Sequence, residues 1–72
     1  MEISKLIKKG SDNLKVNNIS THQLDSEVIM SRILKVERER LLVNLDLKVS
    51  KKVVSSFNKF IARRSKKEPL AY

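Results

Sequence analysis

The sequence predicts an all-α fold, a small helical bundle of four to five helices. Three observations predict it. Apolar residues recur three and four positions apart rather than in alternation. One Gly and one Pro in 72 residues leave almost no strand-and-turn punctuation. Four amphipathic stretches joined by short polar links can bury their apolar stripes only against one another. A chain this short is at most one small domain, burying roughly 60% of the surface it exposes when unfolded.

The first helix is expected over residues 2–16, with Ile3, Leu6, Ile7 and Leu14 on one stripe. Gly10 falls on the same face, either as a close-contact position or as a weak point. Asn13, Asn17 and Asn18 then favour a turn. Ser20 with Gln23 three residues on reads as a capping box, and Ile19 before it as a staple onto Leu24. The second helix follows over 21–35, with Leu24, Val28, Ile29, Ile33 and Leu34 inward and Met30 filling a gap. Residues 36–44 form a short third helix, charged in its first turn and apolar in its second, ended by Asn44 or Asp46. Ser50 is the expected N-cap of the last helix, 51–65, whose stripe is Val53, Val54, Phe57, Phe60 and Ile61. Pro69 biases Glu68 towards extended backbone, so residues 68–72 should leave the helix.

Composition excludes several chemistries. A single Gly rules out glycine-rich phosphate and dinucleotide loops. No Cys and one His, His22, leave no thiolate nucleophile and too few ligands for a metal cluster. No apolar run approaches the ~20 residues of a membrane span, and the acidic, interrupted N-terminus is unlike a signal peptide, so a cytoplasmic location is expected. The charge is lopsided. Residues 48–72 carry Lys48, Lys51, Lys52, Lys59, Arg63, Arg64, Lys66 and Lys67 against Glu68 alone, which places +7 of the net +8 there. Such asymmetry points to an acidic or phosphate-bearing partner at that end, with a merely solvated lysine face as the plain alternative.

Individual candidates are weak as catalytic groups. His22 in the first turn of its helix, with no second His or Cys, is expected at the surface. Ser, His and Asp are present, but nothing marks a nucleophile elbow. Phe57 and Phe60 share their spacing with Val53 and Ile61, which assigns them to the core rather than to a base-stacking platform. Asp25 and Glu27, two residues apart on a helix, point to different faces and do not form an acid pair. Asp25 suits the start of its helix, and Glu27 is placed to reach Arg63 or Arg64 if the second and fourth helices pack antiparallel.

Four stretches carry a resemblance: Leu24-Asp25-Ser26-Glu27-Val28-Ile29-Met30, Leu34-Lys35-Val36-Glu37-Arg38, Arg63-Arg64 and Glu68-Pro69-Leu70-Ala71-Tyr72. Together they resemble the N-terminal domain of the bacterial peptide chain release factor glutamine methyltransferases, the HemK/PrmC family, across essentially the whole chain. The family pattern has an Asp-Ala-Glu helix, a Leu-Gly-x-x-Arg turn and an Arg-Arg…Gly-Glu-Pro-Leu-Ala-Tyr exit. Here Ser26 replaces the Ala, Lys35-Val36 stands where the Leu-Gly turn is expected, and Lys67 replaces the Gly before Glu-Pro.

The resemblance implies a helical substrate-recognition domain over 1–65, with 66–72 beginning the connection to a C-terminal methyltransferase domain that these residues do not include. In the family that second domain binds S-adenosylmethionine, and its Asn-Pro-Pro-Tyr motif holds the Gly-Gly-Gln glutamine of a class 1 release factor for N5 methylation. No catalytic, cofactor-binding or metal residue carries over to this chain. The expected partners are the release factor and the methyltransferase domain itself, met by the basic end: Arg63, Arg64, Lys66 and Lys67. The competing reading is a stand-alone basic helical module for RNA or DNA, which composition alone favours and which the lack of interleaved exposed aromatics disfavours.

Overall fold

Four helices appear among residues 1–67, the part of the chain that the computed structural model describes: α1 (Ile3–Val16), α2 (His22–Leu34), α3 (Arg38–Leu42) and α4 (Lys51–Ser65). The all-α expectation holds, and the only sheet-like feature among these residues is an isolated antiparallel bridge between Glu2 and Lys48. The expected exit at 68–72 lies outside the described residues. α1, α2 and α4 pack on one another in all three pairings, and α3 lies against α2. Their shared interior holds Leu6 and Leu14 of α1, Ile29 and Met30 of α2, Leu41 of α3, and Phe57 of α4, each at most 2% exposed. Ile61 is also buried, and Val53, Val54 and Phe60 pack around this core, as the stripe on α4 requires. Phe57 is therefore a core residue, and Phe60 packs partly buried against the core.

Gly10 is the close-contact position. An added Cβ there would stand 2.7 Å from Phe57 Cζ, 2.8 Å from Phe57 Cε2 and 2.8 Å from Ser26 Oγ. All three large helices meet at this point. Ser26 Oγ also donates to the Ile7 carbonyl at 2.7 Å, so the hydroxyl that sits against Gly10 is satisfied by α1 itself.

This junction sets the rotation of α2, and it differs from the expected one. Ser26, Ile29 and Met30 face inward, whereas Leu24 is 46% exposed and Val28 is only half-buried. At about 100° per residue, Leu24 lies roughly 200° around the helix from Ser26. A small hydroxyl residue makes the close helix crossing possible, and the larger Leu24 is turned away from it.

The helix ends show where backbone geometry overrode local signals. Thr21, not Ser20, precedes α2, with ψ 28° instead of the extended value a capping side chain needs, and it makes no cap bond. The capping box and the Ile19–Leu24 staple do not form. The reason is upstream: Asn18 adopts φ 64° and closes α1 with Asn18 N–H to Lys15 O and Ile19 N–H to Leu14 O, both 3.0 Å, a Schellman end that buries Ile19. The chain then turns immediately into α2, with His22 N–H donating to Ile19 O. Lys35 closes α2 in the same way at φ 57°, with Val36 N–H donating to Ser31 O at 3.0 Å and Lys35 N–H to Arg32 O at 3.2 Å. Lys67 has φ 64° after α4. Lys35 and Lys67, two of the departures from the family pattern, thus occupy left-handed backbone where glycine is the easy residue.

Ser50 does cap α4, accepting from Val53 N–H at 3.4 Å. Asn44 follows α3 and donates from its side chain to the Arg40 carbonyl at 2.8 Å. α1 begins without a capping side chain; the Ile3 and Ser4 N–H groups donate to the Leu47 and Leu45 carbonyls, both at 2.9 Å. The segment between α3 and α4 therefore satisfies donors that a helix start otherwise leaves to water.

Candidate functional site

The C-terminal end of α4 gathers the cations singled out in the sequence, and they divide into two kinds. Arg64 is turned inward: its Nε donates to Asp25 Oδ2 at 3.0 Å, with the arginine side chain 21% exposed and the aspartate 9%. Thr21 Oγ1 donates to the same oxygen at 2.9 Å. Arg64 thereby ties α4 to the first turn of α2. Arg63, Lys66 and Lys67 are exposed. Arg63 borders an apolar depression of ≈ 380 Å³ shared with Ser56, Lys59, Phe60 and Ala62. Lys67 returns beside Arg64 to the α1–α2 turn, where Asn18, Ser20 and Thr21 line a small polar hollow.

The acid–arginine link between α2 and α4 exists, but through Asp25 and not through Glu27. Glu27 Oε1 accepts from Arg38 Nε at 2.7 Å and its Oε2 from Gln23 Nε2 at 2.8 Å, so Glu27 holds the start of α3 against α2. Asp25, Glu27, Arg38 and Arg64, all within the stretches that carry the family resemblance, are thus two part-buried ion pairs that fasten α3 and α4 to opposite flanks of α2. Side-chain reach across a tertiary contact decided which arginine met which acid, and helix spacing alone carries no such signal.

His22 is half-buried rather than on the surface, and its Nδ1 shares a 2.7 Å hydrogen bond with Ser11 Oγ of α1. It braces α1 against α2. No group of three or more potential metal ligands occurs among the described residues. The only Gly of the chain lies within α1 and is filled over by Phe57 and Ser26, so it forms no open glycine turn for a nucleotide or phosphate group.

The exposed charges of α4 and of residues 66 and 67 are one-signed. Lys51, Lys52, Lys59, Lys66 and Lys67 make no ion pair among the described residues, and no acidic residue lies between Asp46 and Glu68 in the sequence. Such a surface attracts carboxylates or phosphates and repels other cations.

The sequence has relatives among known proteins. The sequence profile of the PrmC N-terminal domain matches residues 5–72. A bifunctional methyltransferase of Rickettsia felis is 34% identical over 70 residues, covering 97% of this chain and 13% of the relative. A release factor glutamine methyltransferase of Buchnera aphidicola is 32% identical over 72 residues, covering all of this chain and 26% of the relative. One of Leptospira interrogans is 31% identical over 67 residues, 93% of this chain and 23% of that protein. The chain thus spans about a quarter or less of the length of the curated relatives it matches. No solved structure matches with comparable significance. With its profile match running nearly end to end, and with the signature residues Asp25, Glu27, Arg38 and Arg64 accounted for as the pairs that hold its helices together, this chain belongs to the PrmC N-terminal domain family.

Proposed function

We propose that this chain is the recognition domain of a protein-(glutamine-N5) methyltransferase that acts on class 1 peptide chain release factors with S-adenosylmethionine. The observation that carries the reading is the PrmC N-terminal domain match over residues 5–72, joined to relatives named for release factor glutamine methylation. Residues 1–65 form the recognition domain and 66–72 begin the connection to the methyltransferase domain. The cofactor and the chemistry belong to that second domain, and this chain on its own is not an enzyme. Its role is to supply binding energy and orientation, which a transferase needs to present one glutamine of a large protein to the methyl donor. With a release factor as substrate, the cytoplasm is the location this reading implies. Among the described residues no helix is long and apolar enough to cross a membrane.

Arg63, Lys66 and Lys67 face the release factor or the methyltransferase domain, while Arg64 positions the helix end through Asp25. Titration of the chain with a class 1 release factor at near-physiological salt tests this. Lys66→Glu/Lys67→Glu should leave the helical signal intact and weaken association. The net charge of +8 favours a second reading, a nucleic-acid module. Tight RNA binding that falls steeply with salt and vanishes on the same charge reversal, with release factor binding unchanged, would favour that reading instead.

A further inference from the structure

A second surface on α4 lies away from the Arg64 end. A groove of ≈ 630 Å³ runs between α4 and the paired segments at Met1 and Val49. From α4 it takes Lys51, Val54, Ser55, Asn58, Lys59 and Ala62, successive members of one helical stripe. The stripe is roughly 16 Å long at about 1.5 Å per residue. Met1 and Val49 form the opposite wall, held there because Val49 N–H donates to the Met1 carbonyl at 3.0 Å. The apolar lining, which serves as the floor, is supplied by Val54 and Ala62 together with the inner faces of Met1 and Val49 from that wall, Met1 being 48% exposed. The rim is cationic: Lys51 and Lys59 are exposed, and neither has an ion-pair partner among the described residues.

We propose that this groove docks an acidic, amphipathic segment of the release factor, its apolar side chains on the Met1–Val54–Ala62 floor and its carboxylates against Lys51 and Lys59. The proposal rests on the function above for the partner's identity, and on the groove for the partner's chemistry. An apolar floor within a charged rim is the anatomy of a protein interface, in which the floor contributes affinity and the rim steers and orients. A phosphate backbone has no use for the floor. A carboxylate-bearing segment with apolar residues on one side uses both, and among the described residues neither Lys51 nor Lys59 is already paired with a carboxylate.

The test is an amide-resolved NMR titration of the isotope-labelled chain with a purified class 1 release factor. The expected result is line broadening or shifts centred on Val49, Val54, Asn58 and Ala62. Lys51→Glu/Lys59→Glu should weaken binding about tenfold or more, as reversal of two steering charges does. Ala62→Trp, which fills the floor from an exposed helix position, should act similarly. Lys9→Glu/Lys15→Glu removes the same charge from α1 and should change affinity far less. Circular dichroism on each variant checks that the fold is intact. Release factor binding that perturbs other faces and ignores both groove variants overturns the groove and leaves the proposed function standing. No release factor binding at all overturns both. Groove shifts produced by structured RNA but not by release factor overturn the choice of a protein occupant.

Discussion

Gly10→Ala sets helix propensity against packing, and the structure decides the sign. In an exposed helix interior the change stabilises by about 0.8–1 kcal/mol, because glycine loses more backbone freedom on folding than alanine. At Gly10 the new methyl would meet Phe57 Cζ, Phe57 Cε2 and Ser26 Oγ, all below 3.0 Å. Phe57 and Ser26 are both 0% exposed, so neither has a solvent direction in which to yield. Overpacking of this kind costs typically 1–3 kcal/mol. Displacing Ser26 also endangers its 2.7 Å bond to the Ile7 carbonyl, worth about 0.5–1.5 kcal/mol. These costs exceed the propensity gain, leaving a net destabilisation of about 1–3 kcal/mol. A domain this small has only about 3–5 kcal/mol to lose. Urea titration followed by far-ultraviolet circular dichroism measures the change, and the melting temperature should fall by about 4–8 °C per kcal/mol. Pairing Gly10→Ala with Phe57→Leu, which removes the ring tip, should recover part of the loss as a favourable coupling energy. A Gly10→Ala chain more stable than the parent would refute the close crossing of α1, α2 and α4.

The remaining predictions address the other supports of the fold. Lys35→Gly should stabilise by up to about 1 kcal/mol in denaturant titration, because Lys35 holds φ 57° at the end of α2 and glycine carries no Cβ penalty there. Arg64→Met should destabilise by about 1–3 kcal/mol, since it leaves the mostly buried Asp25 carboxylate with Thr21 but without its cation; Arg38→Met should cost less, because Arg38 is 48% exposed in its pair with Glu27. Phe57→Ala removes the largest fully buried side chain at a cost of about 3–5 kcal/mol, so its helical signal at 25 °C should be largely lost. Calorimetry of the chain with S-adenosylmethionine should show no saturable binding at micromolar concentrations; a defined stoichiometric isotherm would mean that a cofactor site had been overlooked.

The sequence by itself determined the helices, because the pattern of apolar side chains along α1 and α4 is long, regular and tied to their own backbone period. Residues 3, 6, 7 and 14, and residues 57 and 61, went to the core as that period requires. Ser50 was legible as a cap for the same reason, since a cap acts within four residues of itself. Family membership was legible too, carried by residue types at fixed separations. The rotation of α2 was not. Its inward face has Ser26 at the crossing with Gly10, and a serine becomes a core residue only when another helix presents a carbonyl and no side chain at that height. The pairing of Asp25 with Arg64 and of Glu27 with Arg38 was likewise settled by tertiary structure, because each acid had more than one arginine within reach of an undetermined packing angle. The groove at Met1, Val49 and α4 exists only because the α3–α4 segment folds back to satisfy the first amides of α1, a contact between positions more than forty residues apart that local pattern does not encode.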